Sequence, residues 1–342
     1  MNRTRTLLTI LLLISAISQG NCTFPRVDLA IATPTLTPFD VAPTDTAPPP
    51  LVTAELGLAE NPLILALPPS TNSPDQIAAA NLIASQFTER TGYTVVTIAP
   101  DSYTALVDAL DKGNAHIVLL DPYAYTLAYQ KGLVYAEYGL IKGEESTYGS
   151  QFLATRKGGF QSFYDSAGEE NTAEASIALA QFTDKKPCWS DETSASGYVI
   201  PLGFLKQNLI NTRPPAFVEG QPTVVRSLYA SGICDFGATY IDARKFPSLE
   251  DQFPDLLEQV IVVWHTPNII PYNIIAFSTN MPEGMRTLFS DQIAALMQTD
   301  NGRAAFKTAY GVEGLQVVND GFYQDFRTYV DESGVDLTTL VK

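Results

Sequence analysis

Ser194 and Ser196 stand just ahead of Gly197 and an apolar stripe: Tyr198, Leu202, Leu205 and Leu209, at spacings of four, three and four. That spacing predicts one face of a helix with the serines at its amino end. A helix amino terminus carries unpaired N–H groups and roughly half a positive charge, so it can hold an anion with no Lys or Arg beside it. The chemistry offered is recognition of a small oxyanion by hydroxyls and backbone donors. The plainer alternative is that the serines only cap the helix.

Other residues share this potential by position. Ligands in open α/β sheets bind beyond the carboxyl ends of strands. Ser70, Tyr103 and Tyr125 lie on or just after the loops that follow three apolar runs, 62–67, 93–99 and 115–120. Either tyrosine could instead be a core-edge residue. Asp235 sits in the short segment Ile233 to Tyr240 and is expected at the exit end of a strand, as a ligand contact or a solvated loop residue.

These residues need a scaffold. Ser73-Pro74-Asp75-Gln76 opens a helix with a capping box, and Gly92 closes it. With its flanking apolar runs this forms a β-α-β unit over 61–99, hence a parallel sheet. A second unit follows, with helix 102–112 stopped by Gly113 and a helix after Asp121-Pro122 stopped by Gly132. Residues 148–156, beginning with Tyr148, form an extended connection. Residues 157–175 are a Gly-rich, acidic excursion. The chain ends in helices over 283–299, 303–310 and 322–332.

The chain has 342 residues, 45% hydrophobic, enough for two domains with cores, and its net charge of −16 argues against nucleic-acid binding. Arg3 and Arg5 precede an apolar run of 11 residues, 7–17, short of the roughly 20 a spanning helix needs. Residues 1–21 therefore read as an export signal. Ser18 to Cys22 resembles the lipobox of bacterial lipoproteins, which makes Cys22 a lipid-anchor candidate; an uncleaved anchor and ordinary secretion are the alternatives. Residues 22–60 are rich in Thr, Pro and Ala and form a tether.

If Cys22 is lipidated, Cys188 and Cys234 remain as a pair. Outside the cytoplasm they form a disulfide, or else stay as two buried thiols. With no C-x-x-C and two separated histidines, His116 and His265, neither a metal site nor a cofactor is expected.

Taken in order, the motifs resemble the solute-binding proteins of phosphonate/phosphate-type ABC transporters. Asp101 to Leu110 resembles the family's Tyr-containing helix start. Asp121-Pro122-Tyr123-Ala124-Tyr125 resembles its Gly-Pro-x-x-Tyr turn. Ser194-Ala195-Ser196-Gly197-Tyr198-Val199-Ile200-Pro201 resembles its Ser-Thr-Ser-Gly-x-x-x-Pro signature. Cys234 to Ala238 resembles Val-Asp-Ala-Gly-Ala, and Ile269-Ile270-Pro271 an interlobe crossing.

The resemblance implies the type 2 periplasmic-binding fold: two α/β lobes joined by two crossings, with a ligand cleft between them. The lobes would be 61–148 plus 268–342, and 149–267. An oxyanion such as phosphonate, phosphate or phosphite would be held by Ser194, the Ala195 N–H and Ser196. Tyr103 and Tyr125 would touch it from the other lobe, and Asp235 would orient it. Tyr148 and Ser70 are further candidates.

The chain departs from the pattern at Asp121 in place of Gly, at Ala195 in place of Thr, at Pro201 early in a helix and at Cys188-Trp189, where Trp189 is a candidate aromatic wall. The implied partner is a membrane permease, the protein being a monomer anchored outside the cytoplasmic membrane. Alternatives are a sensory or accessory binding module, for example for a thiamine-precursor-like ligand, and a serine hydrolase. The chain has no G-x-S-x-G elbow for the last.

Overall fold

The computed structural model describes residues 55–69 and 73–342. The export signal, Cys22, most of the tether and Ser70 lie outside the described residues. Among the described residues no helix is long and apolar enough to cross a membrane.

The chain first lays down β1 (Leu63–Ala66), β2 (Val95–Ile98), β3 (Ile117–Leu120) and β4 (Val134–Ile141). It crosses through β5 (Thr147–Tyr148) into β6 (Ser150–Thr155). A hairpin of β7 (Tyr164–Asp165) and β8 (Glu170–Asn171) follows, then β9 (Pro187–Trp189), β10 (Ala216–Phe217), β11 (Phe236–Tyr240) and β12 (Val260–His265). It returns through β13 (Ile270–Pro271) to β14 (Ile274–Ser278) and β15 (Gly314–Val317). One sheet runs β15-β4-β14-β3-β1-β2 and the other β10-β9-β11-β6-β12. The two crossings pair antiparallel, Ile270 opposite Tyr148.

Local signals account for much of the first lobe. Ser73 Oγ accepts from Gln76 N–H at 3.2 Å, and Ser73 N–H donates to Gln76 Oε1 at 3.3 Å. Gly92 ends the helix at φ 77°. The β-α-β unit is parallel, with β1 pairing both β2 and β3. Leu63, Ile83, Phe87 and Phe289 fill one face of this sheet.

The C-terminal segment is placed otherwise than expected. The sequence places all of 268–342 in the first lobe, yet helix Gln324–Ser333 packs on helix Ile200–Gln207 of the second. Tyr329 stacks on Phe204 with ring centroids 3.8 Å apart, and Lys206 Nζ donates to the Ser333 carbonyl. Gly203 makes this possible, because a Cβ there would run into the Tyr329 carbonyl. Helix Leu337–Leu340 then returns to helix Pro122–Gln130 of the first lobe. A continuous core results, with Leu106 and Val118 from one lobe, Phe152 and Trp264 from the other, and Phe326 and Val330 among them.

Candidate functional site

Three helix starts of the first lobe follow β1, β2 and β3, with Ser73, Ser102 and Asp121 as their N-caps. Asp121 Oδ1 accepts from Ala124 N–H at 2.7 Å. Tyr103 opens its helix, and its N–H donates to the Lys342 carbonyl at 2.7 Å. Its hydroxyl lies 3.4 Å from Asn273 Nδ2. Burial, with the Asp121 charge nearby, raises the Tyr103 pKa.

In the second lobe β9 runs into the serine motif. Asp191 Oδ1 accepts from the N–H and the hydroxyl of Thr193. Ser194 caps a π-helical turn, Ala195–Val199, that leads directly into helix Ile200–Gln207. The wider turn absorbs Pro201, which has no N–H to give an α-helix. Gly197 is needed for close approach, since a Cβ there would meet Ser190 and Ser194 Oγ.

Gln221 ties this motif down. Its Nε2 donates to Ser194 Oγ and Ser196 Oγ, both at 3.0 Å, while its Oε1 accepts from Tyr240 N–H at 2.8 Å. The crossings supply the remaining wall. Tyr148 stacks on Tyr272 at 5.0 Å, and Lys142 Nζ lies 4.8 Å above the Tyr272 ring. Burial pushes the Tyr148 hydroxyl up to about 12, with Ser196 as its hydrogen-bond partner.

These groups enclose a cleft of about 460 Å³. Tyr103, Asp121 and Tyr123 line it from the first lobe, Thr193 and Ala195 from the second. Lys142, Tyr148, Tyr272 and Asn273 line it around the crossings, with Lys342 at the chain end. A second cavity of about 620 Å³ shares Lys142, Tyr148 and Tyr272 and is otherwise lined by Tyr164, Asp242, Arg244, His265 and Asn268, among others. It meets neither the serine motif nor the first lobe's helix starts. The smaller cleft is therefore the candidate site.

Of the residues singled out in the sequence, Tyr103, Tyr148 and Ala195 line this cleft, while Ser194 and Ser196 flank Ala195 in the chain and bond to Gln221. Three other candidates are placed elsewhere. Tyr125 is fully buried, packs on Tyr323 at 4.3 Å and donates to Asp320 at 3.1 Å. Its neighbour two residues back, Tyr123, takes the cleft instead, because residues two apart in a helix point to nearly opposite sides.

Asp235 precedes β11 and so sits at the strand's amino end, not its exit. It pairs with Arg213 at 2.5 Å and accepts from Lys186 N–H at 2.7 Å. Burial works to raise its pKa, but these donors hold the carboxyl below the usual range. Trp189 belongs to the core, edge-on to Phe236 at 5.8 Å, and is no cleft wall. The cysteines flanking these two residues are bonded, Cys188 to Cys234.

Sequence reasoning missed Gln221, Lys142, Asn273 and Tyr272. Only Tyr272 had a signal, following the Ile270-Pro271 crossing directly. The histidines are accounted for apart from the serines. His116 Nδ1 accepts from Ile64 N–H at 3.0 Å, and His265 lines the larger cavity, where burial pushes its pKa down to about 4.

Asp121 is the costly group of the cleft. Desolvation pushes its carboxyl up to about 6 despite the capping bonds to Ala124 and Tyr123 N–H. A carboxyl with a raised folded-state pKa binds more protons folded than unfolded, so stability falls as pH rises from about 4 through about 6. Urea unfolding should show the protein losing about 2–3 kcal/mol across that window relative to Asp121→Asn. Parallel pH profiles for the two proteins would contradict this assignment.

A family model described as "ABC transporter, phosphonate, periplasmic substrate-binding protein" matches residues 65–323. The phosphate-import protein PhnD of Mycolicibacterium smegmatis is 24% identical over 292 residues, covering 80% of this chain and 86% of that protein. Among solved structures, XAC2383 from Xanthomonas citri bound to ATP superposes with a TM-score of 0.59 at 14% identity, covering 82% of this chain and 99% of that one. PhnD1 from Prochlorococcus marinus in complex with methylphosphonate gives a TM-score of 0.52 at 13% identity, covering 80% and 98%. The chain thus has the two-lobed periplasmic-binding fold and belongs to the periplasmic substrate-binding proteins of phosphonate-type ABC transporters, a non-enzymatic transport component whose partners are a small-molecule ligand and a permease.

Proposed function

We propose that this protein binds a small oxyanion (phosphonate, phosphate or phosphite) in the cleft between its lobes and delivers it to a permease. The observation that carries this reading is the serine turn. The Ala195 N–H of its first turn lacks an intrahelical acceptor, and Ala195 lines the cleft together with Tyr103 and Lys142. Ala195 N–H and the hydroxyls of Thr193, Ser194 and Tyr103 then serve the phosphoryl oxygens. Gln221 holds Ser194 and Ser196 in place before the ligand arrives. The phosphate-import role of the Mycolicibacterium relative and the methylphosphonate in the Prochlorococcus structure support this ligand class. Cys22 serves as the lipid anchor and 22–60 as the tether that lets a monomer reach the permease.

Calorimetry with phosphate, phosphite, methylphosphonate and sulfate tests the reading. At least one phosphorus oxyanion should bind. Ser194→Ala with Ser196→Ala should weaken it by about 1.5–3 kcal/mol, the worth of the one charge-assisted hydrogen bond that Ser194 gives the ligand. Unchanged affinity in the double variant would remove the serine turn from the site.

A further inference from the structure

Gln221 is the first residue of helix Gln221–Ala230, and both polar atoms of its side chain are bonded. The N–H of Tyr240, at the exit of β11, can only donate. The atom facing it at 2.8 Å is therefore Oε1, and the amide cannot flip. Nε2 is thereby turned to the serine motif, where its two protons go to Ser194 Oγ and Ser196 Oγ. The main chain beside it is tied to the same motif, since Gly220 N–H donates to the Ser190 carbonyl at 3.2 Å.

This fixes the direction of the bonds beyond. A serine hydroxyl offers one proton and two lone pairs, and ordinarily turns either way. Ser194 Oγ accepts from Gln221 Nε2 at 3.0 Å and from Gly197 N–H at 3.0 Å, so both lone pairs are used and only its proton is left. Neither of those donors can take that proton. Ser194 is partly exposed and stands between Thr193 and Ala195, which line the cleft. Ser196 is buried, takes the other amide proton and is the hydrogen-bond partner of Tyr148, which also lines the cleft. That bond works against the rise in the Tyr148 pKa, as donation to the phenol oxygen does. Ser196 thus gives its proton to Tyr148, and the Tyr148 hydroxyl keeps its own for the cleft. Bonds aligned head to tail in this way strengthen one another.

We infer that Gln221 sets the polarity of the serine turn, making Ser194 and Tyr148 donors toward the cleft, and that it restricts the ligand to oxygens that accept there without donating. The inference rests on the oxyanion reading above. Deprotonated oxygens of an oxyanion meet this demand, whereas a ligand hydroxyl or N–H turned to Ser194 finds no acceptor on it. The donors are oriented before the ligand arrives, which lowers the ordering cost of binding. Gln221 is a positioning residue: it acts through the two hydroxyls.

Calorimetry on the full chain at about pH 8, with methylphosphonate and phosphate, tests this through a double-mutant cycle. Gln221→Met keeps the shape and removes the amide. Gln221→Glu keeps the bond to Tyr240 N–H and turns the other atom into an acceptor for both serine protons. In the parent background Met should weaken binding about tenfold, and Glu at least about a hundredfold. In the background of Ser194→Ala with Tyr148→Phe no hydroxyl proton is left to direct. There Gln221→Met should cost less than about threefold, and the Glu variant should lose most of its extra effect, the remainder being charge repulsion.

If Gln221 only braces the fold, each substitution costs the same in both backgrounds. Gln221→Glu carries the comparison if Gln221→Met folds poorly. Additive losses, or parent affinity in either folded variant, overturn this inference and leave the oxyanion reading standing. Failure of every phosphorus oxyanion to bind the parent protein overturns that reading and this inference with it.

Discussion

Phe326→Ala is expected to lower the unfolding free energy by about 3–5 kcal/mol, the upper range for a large buried side chain. Phe326 is fully buried, with its ring 5.3 Å from that of Tyr123. The cavity it would leave cannot easily collapse, because its helix is pinned at both ends. Arg327 grips Asp320 through two bonds of 2.5 and 2.7 Å, and Tyr125 adds a third. At the other end Lys206 holds the Ser333 carbonyl. Urea unfolding measures the loss, with exposed Asp325→Ala as a control expected within about 0.5 kcal/mol of the parent. A loss under about 1 kcal/mol would mean that the helix merely lies on the surface. Since Tyr123 also lines the cleft, the variant should weaken ligand binding as well as stability.

Helix Gln324–Ser333 marks the boundary of what the sequence could disclose. Its existence is written in local residues, and a helix over 322–332 is expected from them. Its partner is not, because an apolar stripe states only that something covers it. The same division runs through the site. The Ser73 capping box involves residues three apart and is legible. Gln221 acts on serines 25 and 27 positions away and leaves no mark in either segment. Asp121 was visible as an unusual residue, but its place on the cleft wall depends on how two lobes meet. For Asp235 a strand position was inferred from a run of eight residues, and the strand's actual start at Phe236 put the carboxylate at the wrong end. β4 and β15 went unnoticed for a related reason. They pair antiparallel with each other, 173 residues apart at Gly314 and Ile141, and such pairing leaves no local pattern.

Removing the Cys188–Cys234 bond, by Cys188→Ala with Cys234→Ala, is expected to cost about 4 kcal/mol. The bond spans a sequence separation of 46, and closing a loop of that length restricts the unfolded chain by about this amount. The native side adds little, because both sites are buried beside Val224, Val225 and Leu228 and alanine leaves only a small void. The bond also locks the pairing of β9 with β11, in which Gly237 lies opposite Cys188. The far end of β9 carries the serine motif, so the motif's own anchoring decides whether binding follows stability. Gln221 reaches the motif from another helix and from the exit of β11, independently of the bond. Affinity for the oxyanion should therefore change by less than about tenfold, while the urea midpoint drops sharply. Reductant should move the parent protein's midpoint to that of the variant. A midpoint indifferent to reductant would show free thiols, and a large loss of affinity would show that β9, more than Gln221, holds the serines in place.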